Sequence, residues 1–259
     1  MKQKSISLSA SSFALSKSLL IAILLLNAQA SLAQQVHANG TTESASGTID
    51  TGVLNSADGY ALFAERGGII QSTGPLTIRT GGSTANAVTA ESGGQIFIND
   101  GATILGTGIG AKGLHTSGTD SQIVAKNVVV EMTGSGSYGA RADGGLINMT
   151  GGSITAEKGV FTFMGGKFIG KDVAISTTGS TSAPGVEANQ GGSVDLSGGS
   201  VTTTGNNSHA LYVINTAITA TSAPSLIASD TVVKTSGANA IGAYVNIGKM
   251  LLNNVSLHT

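Results

Sequence analysis

Few residues of this chain could do chemistry, and most of them fall on a repeating pattern. Two segments carry glycines at the spacing of a dinucleotide fingerprint: Gly108-Ile109-Gly110-Ala111-Lys112-Gly113 and Gly134-Ser135-Gly136-Ser137-Tyr138-Gly139. Holding a pyrophosphate would require a helix to open directly afterwards, with its N-terminus facing the phosphates. Strand-forming residues follow instead, and the two segments lie 26 residues apart. Gly165-Gly166-Lys167-Phe168-Ile169-Gly170-Lys171 approaches a P-loop. Asp172 stands where a metal-binding hydroxyl belongs, and its carboxylate would repel phosphate. The acids Asp100, Asp120, Asp143, Asp172 and Asp195 form no close pair. Arg66, Arg79 and Arg141 are the only arginines. Arg141 and Asp143 stand two apart, on one face of a strand, and read as solvated surface. His37, His115, His209 and His258 have no Cys or acid neighbour at metal-ligand spacing. No Gly-x-Ser-x-Gly elbow is present. No catalytic residue, cofactor or metal site is expected, and the chain reads as a non-enzyme.

The elements that position these residues belong to a repeat. Eight stretches open with a small residue, an apolar one, a variable one, then Ala, Thr or Val. The small residues are Ala61, Ala87, Gly113, Gly139, Gly159, Gly185, Ala210 and Gly242, at spacings of 26, 26, 26, 20, 26, 25 and 32. A period in this range marks a solenoid. Glycine pairs close the strand in five coils, as at Gly67-Gly68 and Gly93-Gly94, and suit a sharp corner. A second strand follows, for example Gln95-Ile96-Phe97-Ile98, and then a third, such as Ala102-Thr103-Ile104 or Val128-Val129-Val130. Period-two alternation and branched side chains predict strands. Three short strands per coil with no helix predict an all-β, right-handed single-stranded parallel β-helix with coils of about 26 residues. Leu62, Val88, Leu114 and Val160 would stack inward, and eight coils would stand about 38 Å tall.

The variable third residue of each coil then points outward, the alternative being that Phe63 and Phe161 face inward and the two faces swap. The variable residues are Phe63, Thr89, His115, Arg141, Phe161, Glu187, Tyr212 and Tyr244. Mixed aromatics and charges down one face suit protein or glycan binding. Arg141, Phe161, Glu187, Tyr212 and Tyr244 are the candidate binding face.

Composition narrows the function classes. The 259 residues include 38 Gly, no Cys and no Trp, with a net charge of −1. No basic cluster exists to neutralise phosphates, so no nucleic-acid partner is expected. Lys2, Lys4 and Lys17 precede or flank an apolar run over Leu19 to Leu26, too short to span a bilayer. Ala28-Gln29-Ala30 and Ser31-Leu32-Ala33 are candidate cleavage sites, so residues 1–33 read as a secretory signal. Its removal leaves 10 basic and 14 acidic residues, a charge of about −4. A secreted chain without cysteine relies on strand stacking rather than disulfides, and no crosslink blocks its unfolded passage through a narrow pore. Residues 34–59 read as a leader or an irregular N-terminal cap, and 60–259 as the β-helix. Thr259 closes on the last third strand without a visible cap, which reads as part of a longer protein or a truncated product.

The signal, the cysteine-free coils, the Gly-Gly corners and phrases such as Ala142-Asp143-Gly144-Gly145-Leu146-Ile147 and Glu91-Ser92-Gly93-Gly94-Gln95-Ile96 resemble autotransporter passenger domains. The pertactin-like and AIDA-like groups of Gram-negative bacteria are the most similar, over roughly residues 34–259. The resemblance implies Sec export, display at the cell surface or outer membrane, and an adhesin or virulence-associated role toward a host-cell surface protein or glycan. It also implies a translocator β-barrel, of which this sequence carries no strand run. The product would then be periplasmic, or extracellular by another route. Two other functions fit the sequence. Pectate lyases and polygalacturonases share the β-helix, so one is a secreted protein that binds or cleaves polysaccharide, although cleavage needs clustered carboxylates. The other is a truncated product without function.

Overall fold

The computed structural model describes residues 34–99, 101–216 and 222–259. The signal-peptide reading of 1–33 and Asp100 lie outside them. Short runs of Val, Ile, Leu and Thr alternating with polar residues form strands, and each strand pairs in parallel with its counterpart one coil on. One sheet stacks nine strands: Val36–Asn39, Leu62–Glu65, Val88–Glu91, Lys112–Ser117, Tyr138–Asp143, Lys158–Phe163, Val186–Asn189, Leu211–Ile214 and Ala243–Val245. A 14-stranded sheet carries the second and third strand of every coil. These run on as one strand in Thr42–Asp50, Ile69–Thr80, Gln122–Met132 and Leu146–Ala156, and part at a corner elsewhere, as between Gln95–Ile98 and Ala102–Gly106. Among the described residues the one helical segment is a 3₁₀ turn, Ser56–Gly59. The fold is an all-β parallel β-helix of about eight turns, with coils about 26 residues apart.

The stack begins one coil before the first small-residue motif. Val36 pairs with Leu62, and Thr42–Asp50 pairs with Ile69–Thr80. The stretch 34–59, which the sequence leaves open between leader and irregular cap, thus carries two strands in register with the next coil. The small residue is missing there because Gln35 occupies its place. Its amide donates to the carbonyls of Ala57 at 2.7 Å and Tyr60 at 2.9 Å instead of facing the core.

Three apolar columns fill the interior. Leu62, Val88, Leu114, Ala140, Val160, Val186 and Leu211 stack on the nine-stranded sheet. Ile70, Ile96, Ile123, Ile147, Phe168, Val194 and Leu226 stack on the second strands. Ile49, Ile78, Ile104, Val130, Ile154, Ile175, Val201 and Val233 stack on the third. All are buried. Such columns let every coil bury its apolar face against the next.

The glycine pairs serve two separate needs. Gly93 turns the corner with φ at +81°, a conformation that costs other residues about 1 kcal/mol or more. Gly94 does not have this φ. A Cβ there would run into the carbonyl oxygen of Ala64 in the previous coil. Gly68 and Gly166 meet the same obstacle at Ala38 and Ala142. The corner before the nine-stranded sheet repeats the logic. A Cβ on Gly134 would strike the carbonyl of Gly108, Gly136 takes a φ of +70°, and a Cβ on Gly139 would strike Ile154 Cγ2. All three glycines of the fingerprint-like segment therefore have structural roles, and the strand Tyr138–Asp143 follows where a nucleotide site needs a helix.

One coil is short. Ala140 pairs with Val160, 20 residues on. Most of the six missing residues come from the corner before the nine-stranded sheet. Glu157 alone stands there, between Ala156 and Lys158, where the preceding coil has residues 133–137. The next two corners are full-length, so the surface is notched beside Lys158.

Candidate functional site

Alternation turns the variable residue of each coil outward, and the register stacks these residues in one column. It runs His37, Phe63, Thr89, His115, Arg141, Phe161, Glu187, Tyr212, Tyr244. The expected face residues Arg141, Phe161, Glu187, Tyr212 and Tyr244 occupy five consecutive coils. Lys112, Tyr138 and Lys158 form a flanking column on one side, and Ser117, Asp143 and Phe163 on the other.

Two members of the column are not available to a partner. Phe63 is only 8% exposed. The ring of His37 stacks on it at 4.7 Å and Tyr60 meets it edge-on at 5.4 Å. Thr89 is fully buried between Phe63 and His115, and its hydroxyl has no hydrogen-bond partner.

Arg141 and Asp143 are not a solvated pair, contrary to expectation. Arg141 Nε donates to both carboxylate oxygens of Asp143, at 2.7 and 3.0 Å, with both side chains about three-quarters covered. His115 Nε2 lies 3.3 Å from the same carboxylate, and the amide of Asn86 lies 3.2 Å from His115 Nδ1. An amide donating to Nδ1 leaves the proton on Nε2, which donates to Asp143. Sequence reading misses this cluster because Asp143 and His115 are 28 residues apart and meet only diagonally across the stack. The second ring nitrogen faces an amide, where a Ser, Cys or Thr nucleophile would have to stand for acyl-transfer chemistry.

Burial pushes the Asp143 carboxyl up, but the hydrogen bonds from His115 and Arg141 and their charges outweigh it, and the net shift is down. Its folded value is below the unfolded one. The stabilisation is therefore present above the unfolded carboxylate value, about pH 4, and is lost as pH falls through the folded value. Asp143→Asn is expected to cost about 1 kcal/mol at neutral pH. Urea unfolding of both chains across pH 2–7 checks this: the difference should close in acid, and a gap independent of pH would refute it.

Aromatic and cationic groups interlock along the rest of the face. The Arg141 guanidinium lies 5.0 Å from the Phe161 ring centre and 5.5 Å from that of Tyr138. Phe161 stacks on Phe163 at 5.7 Å. Further along, His209 stacks on Tyr244 at 4.9 Å and meets Tyr212 edge-on at 5.2 Å. Beside this aromatic group is a notch of about 290 Å³ lined by Lys158, Ser182, Pro184, Glu187, Asn207, His209 and Tyr212. Burial pushes the Glu187 carboxyl above its ordinary value. Its hydrogen bond from Asn189 and the charges of Lys158 and Arg141 pull it back only in part. Burial also lowers the His209 imidazole.

The remaining chemistry-bearing residues do not converge. Among the described residues no three His, Asp or Glu side chains are placed to hold a metal ion. The P-loop-like segment spans a corner and the strand Lys167–Lys171, with Asp172 at a φ of +54°. The second sheet has its own outward column, Phe97, Val124, Asn148, Ile169, Asp195, Ile227 and Leu251, which the repeat motif does not reveal. Among the described residues no helix is long and apolar enough to cross a membrane. No family model, no curated protein and no solved structure matches the chain.

Proposed function

We propose that this chain is a non-enzymatic, exported display scaffold of the autotransporter-passenger kind, whose nine-stranded sheet presents a binding face to a host-cell surface. The observation that carries this reading is the unbroken outward register of Arg141, Phe161, Glu187, Tyr212 and Tyr244 over five coils. A rigid row of aromatic and charged side chains offers contact area at low entropic cost. The β-helix fits a passenger-like scaffold, and the cysteine-free sequence suits export as an unfolded chain. The Asn86–His115–Asp143–Arg141 cluster supports a non-enzymatic reading, since both ring nitrogens of His115 and both carboxylate oxygens of Asp143 already have partners within it.

Arg141 and Tyr212 stand three coils apart and test the face together. Replacing both with alanine is expected to weaken binding to host cells at least tenfold while the chain keeps its β-sheet circular dichroism. Unchanged cell binding by the folded double variant would remove this face from consideration.

A further inference from the structure

The notch beside the aromatic group has a lining that singles out one ligand chemistry. Four of its features point the same way. First, it is a product of the repeat's irregularity: the short corner at Glu157 leaves Lys158 low, while Ser182 and Pro184, and then Asn207 and His209, line the wall from the next two corners. Second, its floor holds the half-buried Glu187. One carboxylate oxygen accepts from Asn189 Nδ2 at 3.1 Å, and the other has no donor among the described residues. Third, Tyr212 and His209 bring aromatic rings to the lining and pack with Tyr244, at 4.9 to 5.6 Å between ring centres. Fourth, the volume of about 290 Å³ is at the small end for ligand pockets, enough for one ring.

We infer that this notch is a subsite for a single neutral pyranose unit of a glycan. A carboxylate with a free acceptor oxygen suits a pair of adjacent sugar hydroxyls, which supply the missing donors. The aromatic lining from Tyr212 and His209 suits the apolar C–H side of a pyranose. An acidic sugar is disfavoured, because its carboxylate would face Glu187. Lys158 does not reverse this: its ammonium is turned to Tyr138, 3.4 Å from the hydroxyl and 5.1 Å from the ring centre. Glu187 is the only carboxylate among the lining residues, so the notch lacks the carboxylate pair of most glycoside hydrolases and is read as a binding subsite. This inference rests on the reading of the nine-stranded sheet as a binding face and gives that face a ligand class.

The test is saturation-transfer NMR on the full exported chain. The probes are methyl glucoside, methyl galactoside and methyl N-acetylglucosaminide, with methyl glucuronide as the anionic counterpart. At least one neutral glycoside should receive saturation, strongest on its ring C–H protons, and more than the glucuronide. Glu187→Gln and Tyr212→Ala should each weaken that binding about tenfold, and Phe97→Ala on the other sheet should leave it unchanged. Circular dichroism confirms that each variant is folded. The inference is overturned if no neutral glycoside is saturated at millimolar concentration, if the glucuronide is preferred, or if folded Glu187→Gln binds as the parent does. Should the sugars fail while the Arg141/Tyr212 double variant still loses cell binding, the subsite alone is wrong. Should cell binding also be unaffected, the reading of the face falls with it.

Discussion

Phe168→Ala is expected to destabilise the chain by about 4 kcal/mol, the largest loss from any single side chain considered. Among the described residues Phe168 is the bulkiest fully buried side chain. It sits between Ile147 and Val194 in the second-strand column. Its ring leans over Gly170, whose added Cβ would lie 2.8 Å from Phe168 Cε1 and 3.0 Å from Leu196 Cδ2. Glycine is thus the partner that makes room for the ring. When the ring is removed, no side chain at position 170 can move into the space, and strands fixed by neighbours on both sides cannot close it. Cavity cost rises with what fails to collapse, so the loss falls within the upper part of the usual range. Phe168→Leu fills most of the volume and should cost about 1 kcal/mol. Urea unfolding of the three chains decides the matter, and equal small losses for both variants would show that the column repacks freely.

Gly94→Ala is expected to cost about 3 kcal/mol, although the change is one methyl group at a corner between strands. Its φ is not the reason, since only Gly93 of the pair is in the left-handed region. The new Cβ would occupy the space of the Ala64 carbonyl group and lie 2.9 Å from Glu65 N. Both are backbone, and the strand they belong to is paired in register with Val88–Glu91. Relief requires the coils to separate locally, which weakens the bond from Gln95 N to the Gly68 carbonyl of the previous coil. Gly74 supplies the control. Nothing lies within 4 Å of its added Cβ, and its φ is not in the left-handed region. Gly74→Ala should be neutral or stabilise by about 0.5 kcal/mol through the unfolded chain. Matching thermal midpoints for the two variants would refute the clearance argument.

How far the sequence could be read follows from how local each feature is. The coils were legible because the small residue is demanded in nearly every turn: a Cβ on Gly139 would strike Ile154, and one on Gly113 would strike Val130. The outward column was legible because alternation and spacing suffice to place it. The first coil was hidden by Gln35, which satisfies carbonyls of the following loop and breaks the small-residue rule. The Asp143–His115 contact was hidden because it runs diagonally between coils, two positions off the register pair Arg141–His115. The cover over Phe63 and Thr89 was not legible, since alternation gives the direction of a side chain but not what covers it. The notch needed the 20-residue spacing and the corner that loses the residues. The spacing is visible in sequence, but its consequence for the surface is not.

Hydroxyl-radical footprinting of the chain, free and bound to host-cell membranes, tests the central claim most directly. It reads reactive side chains on both sheets in one experiment and needs no substitution. Binding should protect Phe161, Tyr212 and Tyr244 on the nine-stranded sheet while Phe97, Ile227 and Leu251 on the other keep their free reactivity. Protection of Phe97, Ile227 and Leu251 with Phe161, Tyr212 and Tyr244 unchanged would contradict it.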